Sequence, residues 1–320
     1  MRFFAPAYRG RDRLSGVPPP DATLTLDLDA PLDLAASLGA LVRGHGDRTI
    51  RIARDRAWWT TRTRDGAATI GVSSVGARQL RADGWGPGAE VAIARVPGLF
   101  GRSTDELVDA SDSRIATLAK RRPGVRVLRT CAVLESLIPA VLEQKVTGTE
   151  AHRTFHGLVR RYGEPAPGPR ELGLRVFPAP ATLAGLPYWA FHPLGLERRR
   201  ADLIRAIARD ANRFERLVDA PLEAAYARLG SIPGIGPWTA AEVGVRALGD
   251  VDAVSVGDFH LPHLVAYALA GEPRATDARM LELLEPYRGR RALVVRLLEL
   301  SGVQAPRYGP RLSPRRIEGI

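Results

Sequence analysis

The sequence predicts an α+β N-terminal domain followed by a larger, mainly α-helical domain. Two observations carry this. Between Thr23 and Val72 apolar residues recur with a period of two, the strand period. From Arg114 onward they recur at helical spacing, in segments separated by Gly- and Pro-containing loops. A length of 320 residues accommodates two such domains.

The elements follow in chain order. Residues 1–22, rich in Arg, Gly and Pro (Pro18-Pro19-Pro20), predict a loose tail. Thr23-Leu24-Thr25-Leu26-Asp27-Leu28 alternates as a half-buried strand does, and 32–42 reads as a helix. Segments 49–53, 57–62 and 68–72 read as strands, the last two joined by a turn at Asp65-Gly66. Val91-Ala92-Ile93 fits helix or strand. The α+β domain is expected over 23–112. A short helix over 114–120 then closes at Arg122-Pro123-Gly124. Val133, Leu134, Leu137, Ile138, Val141 and Leu142 give one apolar helical face, and Pro139 within it predicts a kink or a late start. Further helices are expected over 150–162, 196–211, 222–229, 238–247, 259–269, 277–284 and 292–300. The helical domain is expected over 113–304, with a second tail over 305–320.

Composition bounds the partners. A formal charge of +11 favours an anionic polymer. Of the 46 basic residues only Lys120 and Lys145 are lysines, and the planar arginine fork suits phosphate. Cys131 is the single cysteine, which excludes an internal disulfide and a cysteine-ligated iron–sulfur cluster. No apolar run has the length of a membrane span, and the opening residues lead into no signal-like core, so a cytoplasmic protein is expected.

Two motifs carry chemistry. Ile232-Pro233-Gly234-Ile235-Gly236-Pro237-Trp238-Thr239-Ala240 stands between a helix end and a helix start. Glycines at 234 and 236 allow unusual backbone angles and let a phosphate approach N–H groups at the positive end of a helix. The same letters also suit an ordinary tight turn between helices. Asp258 follows Trp238 by twenty residues, in Val254-Ser255-Val256-Gly257-Asp258-Phe259-His260. It precedes a predicted helix start, so it is a helix N-cap, a reactive carboxylate, or both. His152/His156 and His260/His263 are spaced as some zinc ligands are, yet no cysteine or intervening glutamate completes a site, and no metal is expected. The aromatic run Tyr188-Trp189-Ala190-Phe191-His192 is expected to pack between the domains.

With these motifs the chain resembles the helix-hairpin-helix superfamily of DNA glycosylases, and within it the bacterial 3-methyladenine DNA glycosylase II, or alkylation-repair, branch. Arg121-Arg122-Pro123-Gly124-Val125-Arg126 is similar to the family's entry into its helical domain. Glu143-Gln144-Lys145-Val146-Thr147 resembles the loop that pushes into the duplex. Phe177-Pro178-Ala179-Pro180, Leu194-Gly195-Leu196 and Arg199-Arg200-Ala201 match the middle helices. The hairpin and Asp258 match best, spacing included, and residues 23–100 resemble the branch's N-terminal domain more weakly.

The resemblance implies a monofunctional enzyme that flips a damaged, alkylated purine out of double-stranded DNA and hydrolyses its glycosidic bond. It assigns Asp258 as the catalytic carboxylate and Trp238, with Tyr287 and Glu242, to the base pocket. Gly234, Ile235, Gly236, Thr239, Gln144 and Lys145 are assigned to DNA. Trp238 and Tyr287 are otherwise core aromatics, and Lys145 a solvated charge. Glu242 stands where the branch often has an aromatic, so it meets a base edge or faces solvent. Lys145 replaces an apolar wedge. Members that also cut the backbone carry a Schiff-base lysine where this chain has Trp238, so water is the expected acceptor. No organic cofactor is implied, although the family's hairpin can hold a monovalent cation. A bacterial, nucleoid-associated monomer is expected. Two alternatives remain: a glycosylase for another lesion such as an oxidised purine, and a non-catalytic binder of damaged DNA.

Overall fold

The structure, a computed structural model, describes residues 17–76, 78–306 and Pro314. Most of both predicted tails, 1–16 and (Pro314 apart) 307–320, lies outside these residues. The chain opens with β1 (Ala22–Asp27), α1 (Leu34–Leu38), β2 (Ile50–Ile52), β3 (Arg56–Thr63), β4 (Gly66–Gly76) and β5 (Gln79–Trp85). The strands form one antiparallel sheet in the order β1-β5-β4-β3-β2. Sequence reading missed β5. Its Asp83 and Gly84 are poor strand formers, but β1 and β4 pair with it on both sides and override that preference. Residues 17–22 correct the predicted tail. Trp85 Nε1 donates to Pro18 O at 2.9 Å, and the Asp21 carboxylate accepts the Gly86 N–H at 2.6 Å, so this stretch is tied to the sheet.

Alternation along β3 covers both faces of the sheet. Ala57 and Trp59 point into a core with α1, Ile70, Val72 and α2 (Ala89–Ala94), which resolves the ambiguous 91–93 segment as helix. Trp58 points the other way, meeting Trp85, Leu172 and Leu174 from later in the chain. A short α3 (Val96–Leu99) leads to β6 (Phe100–Ser103). After α4 (Ser113–Arg121), β7 (Arg126–Leu128) returns to pair with β6.

The remaining helices are α5 (Val133–Glu143), α6 (Gly148–Tyr162), α7 (Pro180–Gly185), α8 (Tyr188–Phe191), α9 (Arg198–Arg209), α10 (Ala211–Glu215), α11 (Leu222–Gly230), α12 (Pro237–Val243), α13 (Leu261–Ala270), α14 (Asp277–Leu284) and α15 (Arg291–Ser301). Between α6 and α7 a two-stranded ladder, β8 (Glu164–Pro165) and β9 (Arg175–Val176), departs from the all-helical expectation. Helix α5 does not start late: it begins at Val133 and runs through the buried Pro139. A capping box starts α6, where Thr147 Oγ1 accepts the Glu150 N–H and the Glu150 carboxylate accepts the Thr147 N–H.

Two apolar cores organise these helices. One gathers side chains of α5 to α12, among them Leu137, Leu158, Phe191, Ile204 and Val243. The other gathers α4, α13, α14 and α15 with Val127 of β7. The hairpin between α11 and α12 belongs to the first core, and Asp258, just before α13, opens the second. The site sits on the seam between them. Beyond Val243 the chain makes a π-helical turn, Gly244–Leu248. Only glycine fits at 244, since a Cβ there would fall 1.9 Å from the Tyr226 hydroxyl, which donates to Asp250.

Candidate active site at the hairpin seam

Asp258 is held from three directions. Its Oδ1 accepts the N–H groups of His260 (2.7 Å) and Leu261 (2.8 Å), and its Oδ2 accepts the Trp238 indole N–H at 3.1 Å. The first two bonds close a turn ahead of α13, whose N-cap residue is His260 rather than Asp258. The third ties Asp258 to the first turn of α12. The carboxylate thus joins the start of α13 to the hairpin helix. Each carboxylate oxygen has two lone pairs, so Oδ2 keeps one after the indole bond.

The loop carrying Asp258 is fixed by neighbours. Ser255 Oγ donates to Glu242 Oε1 at 2.6 Å, Ser255 O accepts the Asp258 N–H at 3.2 Å, and Gly257 N–H donates to Asp277 Oδ2 at 3.1 Å. Glu242 also pairs with Arg246, one turn on, whose Nε reaches Ala40 O in the sheet unit at 3.2 Å. Burial works against the Arg246 charge, but Glu242 and Glu143 outweigh it and hold its pKa above the ordinary value. Glu242 thus corrects both expectations for it. It neither faces solvent nor offers a free carboxylate to a base; it anchors the loop that presents Asp258.

The hairpin divides the predicted DNA-contacting residues. Gly234 lies at φ +97°, a conformation that favours glycine, while Gly236 sits in ordinary extended geometry with open space where a Cβ would be. Ile235 and Thr239 are buried. Their side chains are turned into the protein interior. Ile235 anchors the turn in the first core, and Thr239 Oγ1 accepts a bond from Gln144. Gln144 Nε2 donates to both Gly234 O and Thr239 Oγ1, each at 2.9 Å, so this side chain splints the α5–α6 loop to the hairpin. Next to it, Lys145 is exposed with φ +54°, a left-handed backbone that costs a non-glycine residue roughly 1–3 kcal/mol.

Tyr287 is not brought to this group. It is 4% exposed within the second core, where burial raises its pKa and Asp112 adds to the rise. Phe259, beside Asp258, was missed as a site residue. It is 74% exposed, with His260 and His263 edge-on to its ring at 5.0 and 6.2 Å. Its adjacency to the carboxylate was the available signal. The other missed groups, Ser255 and Arg246, were partly signalled by the i, i+4 spacing of Glu242 and Arg246. His152 and His156 face the 43–46 loop, with His156 Nε2 2.8 Å from Arg43 O. Among the described residues no group of three or more His, Cys, Asp or Glu is placed to hold a metal. A partly open cavity of about 80 Å³ lies elsewhere, between the sheet and α5–α6, lined by Trp59, Thr60, Arg95, Glu135 and Phe155.

This fold is shared with DNA glycosylases of known structure. The chain superposes on a 3-methyladenine DNA glycosylase from Archaeoglobus fulgidus with a TM-score of 0.72, at 20% identity, over 87% of this chain and 97% of that one. In sequence it is similar to DNA-3-methyladenine glycosylase 2 of Escherichia coli, 26% identical over 205 residues, 63% of this chain and 70% of that protein. It is also 32% identical over 154 residues to the probable bifunctional transcriptional activator/DNA repair enzyme AlkA of Mycobacterium tuberculosis, 47% of this chain. That match spans 30% of the mycobacterial protein's length. No family model matches the chain. It shares its fold with DNA glycosylases of known structure, and its sequence relatives carry DNA-repair and DNA-3-methyladenine glycosylase names.

Proposed function

We propose that this chain is a monofunctional DNA glycosylase that excises alkylated purines from duplex DNA by hydrolysis. The observation that carries the proposal is the Trp238–Asp258 hydrogen bond, which joins a DNA-type hairpin helix to a fixed carboxylate. An alkylated purine nucleotide is cationic and leaves as a neutral base, taking the glycosidic electron pair. Positive charge then develops on the sugar, and a preorganised carboxylate stabilises it. Water adds at the anomeric carbon and releases a proton. Asp258 is suited to this because its N–H donors leave it no freedom to swing away. Trp238, held by its indole edge, offers a ring face against a cationic base. Lys120 lies on α4 and Lys145 on the α5–α6 loop, so neither stands at the hairpin helix start for Schiff-base chemistry.

Within this proposal the duplex lies across the hairpin, with Gly236 leaving room for a phosphate and Lys145 projecting beside it. The sheet unit and the helices from α4 onward are taken as two domains of a monomer acting on nucleoid DNA. A monovalent cation at the hairpin fits the turn. The Ile232 and Gly234 carbonyls each accept one hydrogen bond, from Ile235 N–H and Gln144, and each keeps a lone pair. Such a cation would supply positive charge beside the phosphate. No membrane is involved in this reading, and no helix among the described residues is long and apolar enough to cross one.

The test is base release from methylated duplex DNA by the wild type and by Asp258→Asn. Asparagine keeps an oxygen for the N–H groups ahead of α13 but not the charge, so the fold should persist while release falls by about 10²–10³-fold. Equal release from both proteins would remove Asp258 from the chemistry. Binding to an abasic-site analogue with no release from either would point to another lesion or to a non-catalytic binder.

A further inference from the structure

The aromatic run at 188–192 does not pack between the sheet and the helices as expected. Phe191 is fully buried in the first core, but Trp189 is 72% exposed. Three of the other four tryptophans (Trp58, Trp59 and Trp85) are buried, and Trp238 is half-buried. An indole left in water forgoes a large hydrophobic gain, and the residue before it in the chain faces a cation. Beside it, the Arg198 guanidinium lies 5.9 Å from the Tyr188 ring centroid, and His192 meets that ring edge-on at 5.8 Å. Arg198 and Arg199 are both exposed; Arg198 is held only loosely, 3.6 Å from Asp202.

The position of this patch follows from α9. Arg200 Nη1 donates to Leu142 O at 2.7 Å, in the last turn before the Gln144–Lys145 loop. Leu203 packs on the hairpin turn, where a Cβ at Gly234 would come within 3.0 Å of its Cδ2. Arg199 is one helical turn before Leu203 and so shares its face. The first turns of α9 therefore bridge the Lys145 loop and the hairpin, and α8, which carries Trp189, meets α9 through the Tyr188–Arg198 contact. Duplex phosphates alone call for cations. An exposed indole adds a stacking platform, which serves bases whose faces are free, as in an unpaired strand.

We propose that Trp189, together with Arg198 and Arg199, binds an unpaired DNA strand alongside the duplex held by the hairpin. This rests on the reading that the hairpin surface holds DNA. The test compares wild type, Trp189→Ala and Trp189→Phe in binding a short oligo(dT) and a blunt duplex of the same length. Trp189→Ala should lose about five-fold or more in oligo(dT) affinity, the lower end of one base–aromatic stack, with the blunt duplex little changed. Trp189→Phe should retain most of the affinity. Arg198→Gln with Arg199→Gln should flatten the salt dependence on oligo(dT) by about 0.7 per removed charge. Because Trp189 is exposed, none of these changes endangers the fold. Unchanged oligo(dT) affinity in Trp189→Ala would overturn the proposal and leave the indole to a protein partner. Release of methylated bases by the wild type reports separately on the glycosylase reading. If release is absent while the Trp189→Ala loss persists, that reading fails and the strand platform stands.

Discussion

The seam at Asp258 and the junction beneath the sheet are both built around carboxylates, and they treat them in opposite ways. At the seam, Asp258 is half-buried and receives three N–H donors. At the junction, Glu135 of α5 lines the cavity and accepts the Arg62 N–H at 2.6 Å, and Glu215 closes the start of the same helix by accepting the Val133 and Leu134 N–H groups. Burial pushes Glu135 up to about 7, and raises Glu215 as well. A perturbed carboxyl lining a cavity is a common mark of an active site. Here that mark falls away from the hairpin. The cavity of about 80 Å³ is far below the roughly 300 Å³ and more of ordinary ligand sites. The comparison teaches that the carboxyls at the junction join sheet to helices, while the N–H donors at the seam hold Asp258 against the hairpin helix.

The largest effect that sharpens this contrast is on stability. Glu135 has a folded pKa of about 7 against an ordinary 4.5. As pH rises from about 4.5 to 7 the unfolded chain ionises first, so the wild type loses stability across that window. Glu135→Gln has no such loss. Its stability should match or trail the wild type at pH 5 and exceed it at pH 8, by up to about 3 kcal/mol from the size of the shift. Thermal melts across pH would show this, with base release from methylated duplex retained. A constant difference at every pH would break the account of the junction.

The hairpin glycines give a smaller, paired effect. Gly234→Ala meets both a left-handed backbone and Leu203, so stability should fall by about 1–2 kcal/mol. Gly236→Ala meets neither, so its melting temperature should stay while affinity for an abasic-site duplex falls. If both variants merely destabilise, the open space at Gly236 has no functional meaning. Smallest is Gln144→Ala. Losing its two bonds to the hairpin should weaken abasic-duplex binding by about ten-fold with under 1 kcal/mol lost in melts, because the loop is partly exposed.

Much of this was legible in the sequence, for identifiable reasons. Helix α14 fell over 277–284 as the sequence predicted, and the hairpin and Asp258 were visible because glycines and an aspartate ahead of a helix are local signals. Strand β5 was not, since its Asp and Gly are rescued by partners distant in the chain. Gln144's hold on the hairpin spans 90 residues, and Arg246's reach to Ala40 spans 206, so no local pattern announces either. Tyr287 was misplaced because an aromatic after a helix reads the same whether it lines a pocket or fills a core. Trp189 was misplaced for a related reason: a run of rings does not say which of them turns outward.

The double attachment of Asp258 also has an evolutionary side. Serine, threonine and asparagine can accept the N–H groups ahead of α13 but bring no carboxylate to the seam, and glutamate places its carboxylate on a longer arm. Each replacement disturbs one of the two attachments, whereas the Ser255–Glu242 pair that fixes the loop can be exchanged for another hydrogen-bonding pair without moving the carboxylate.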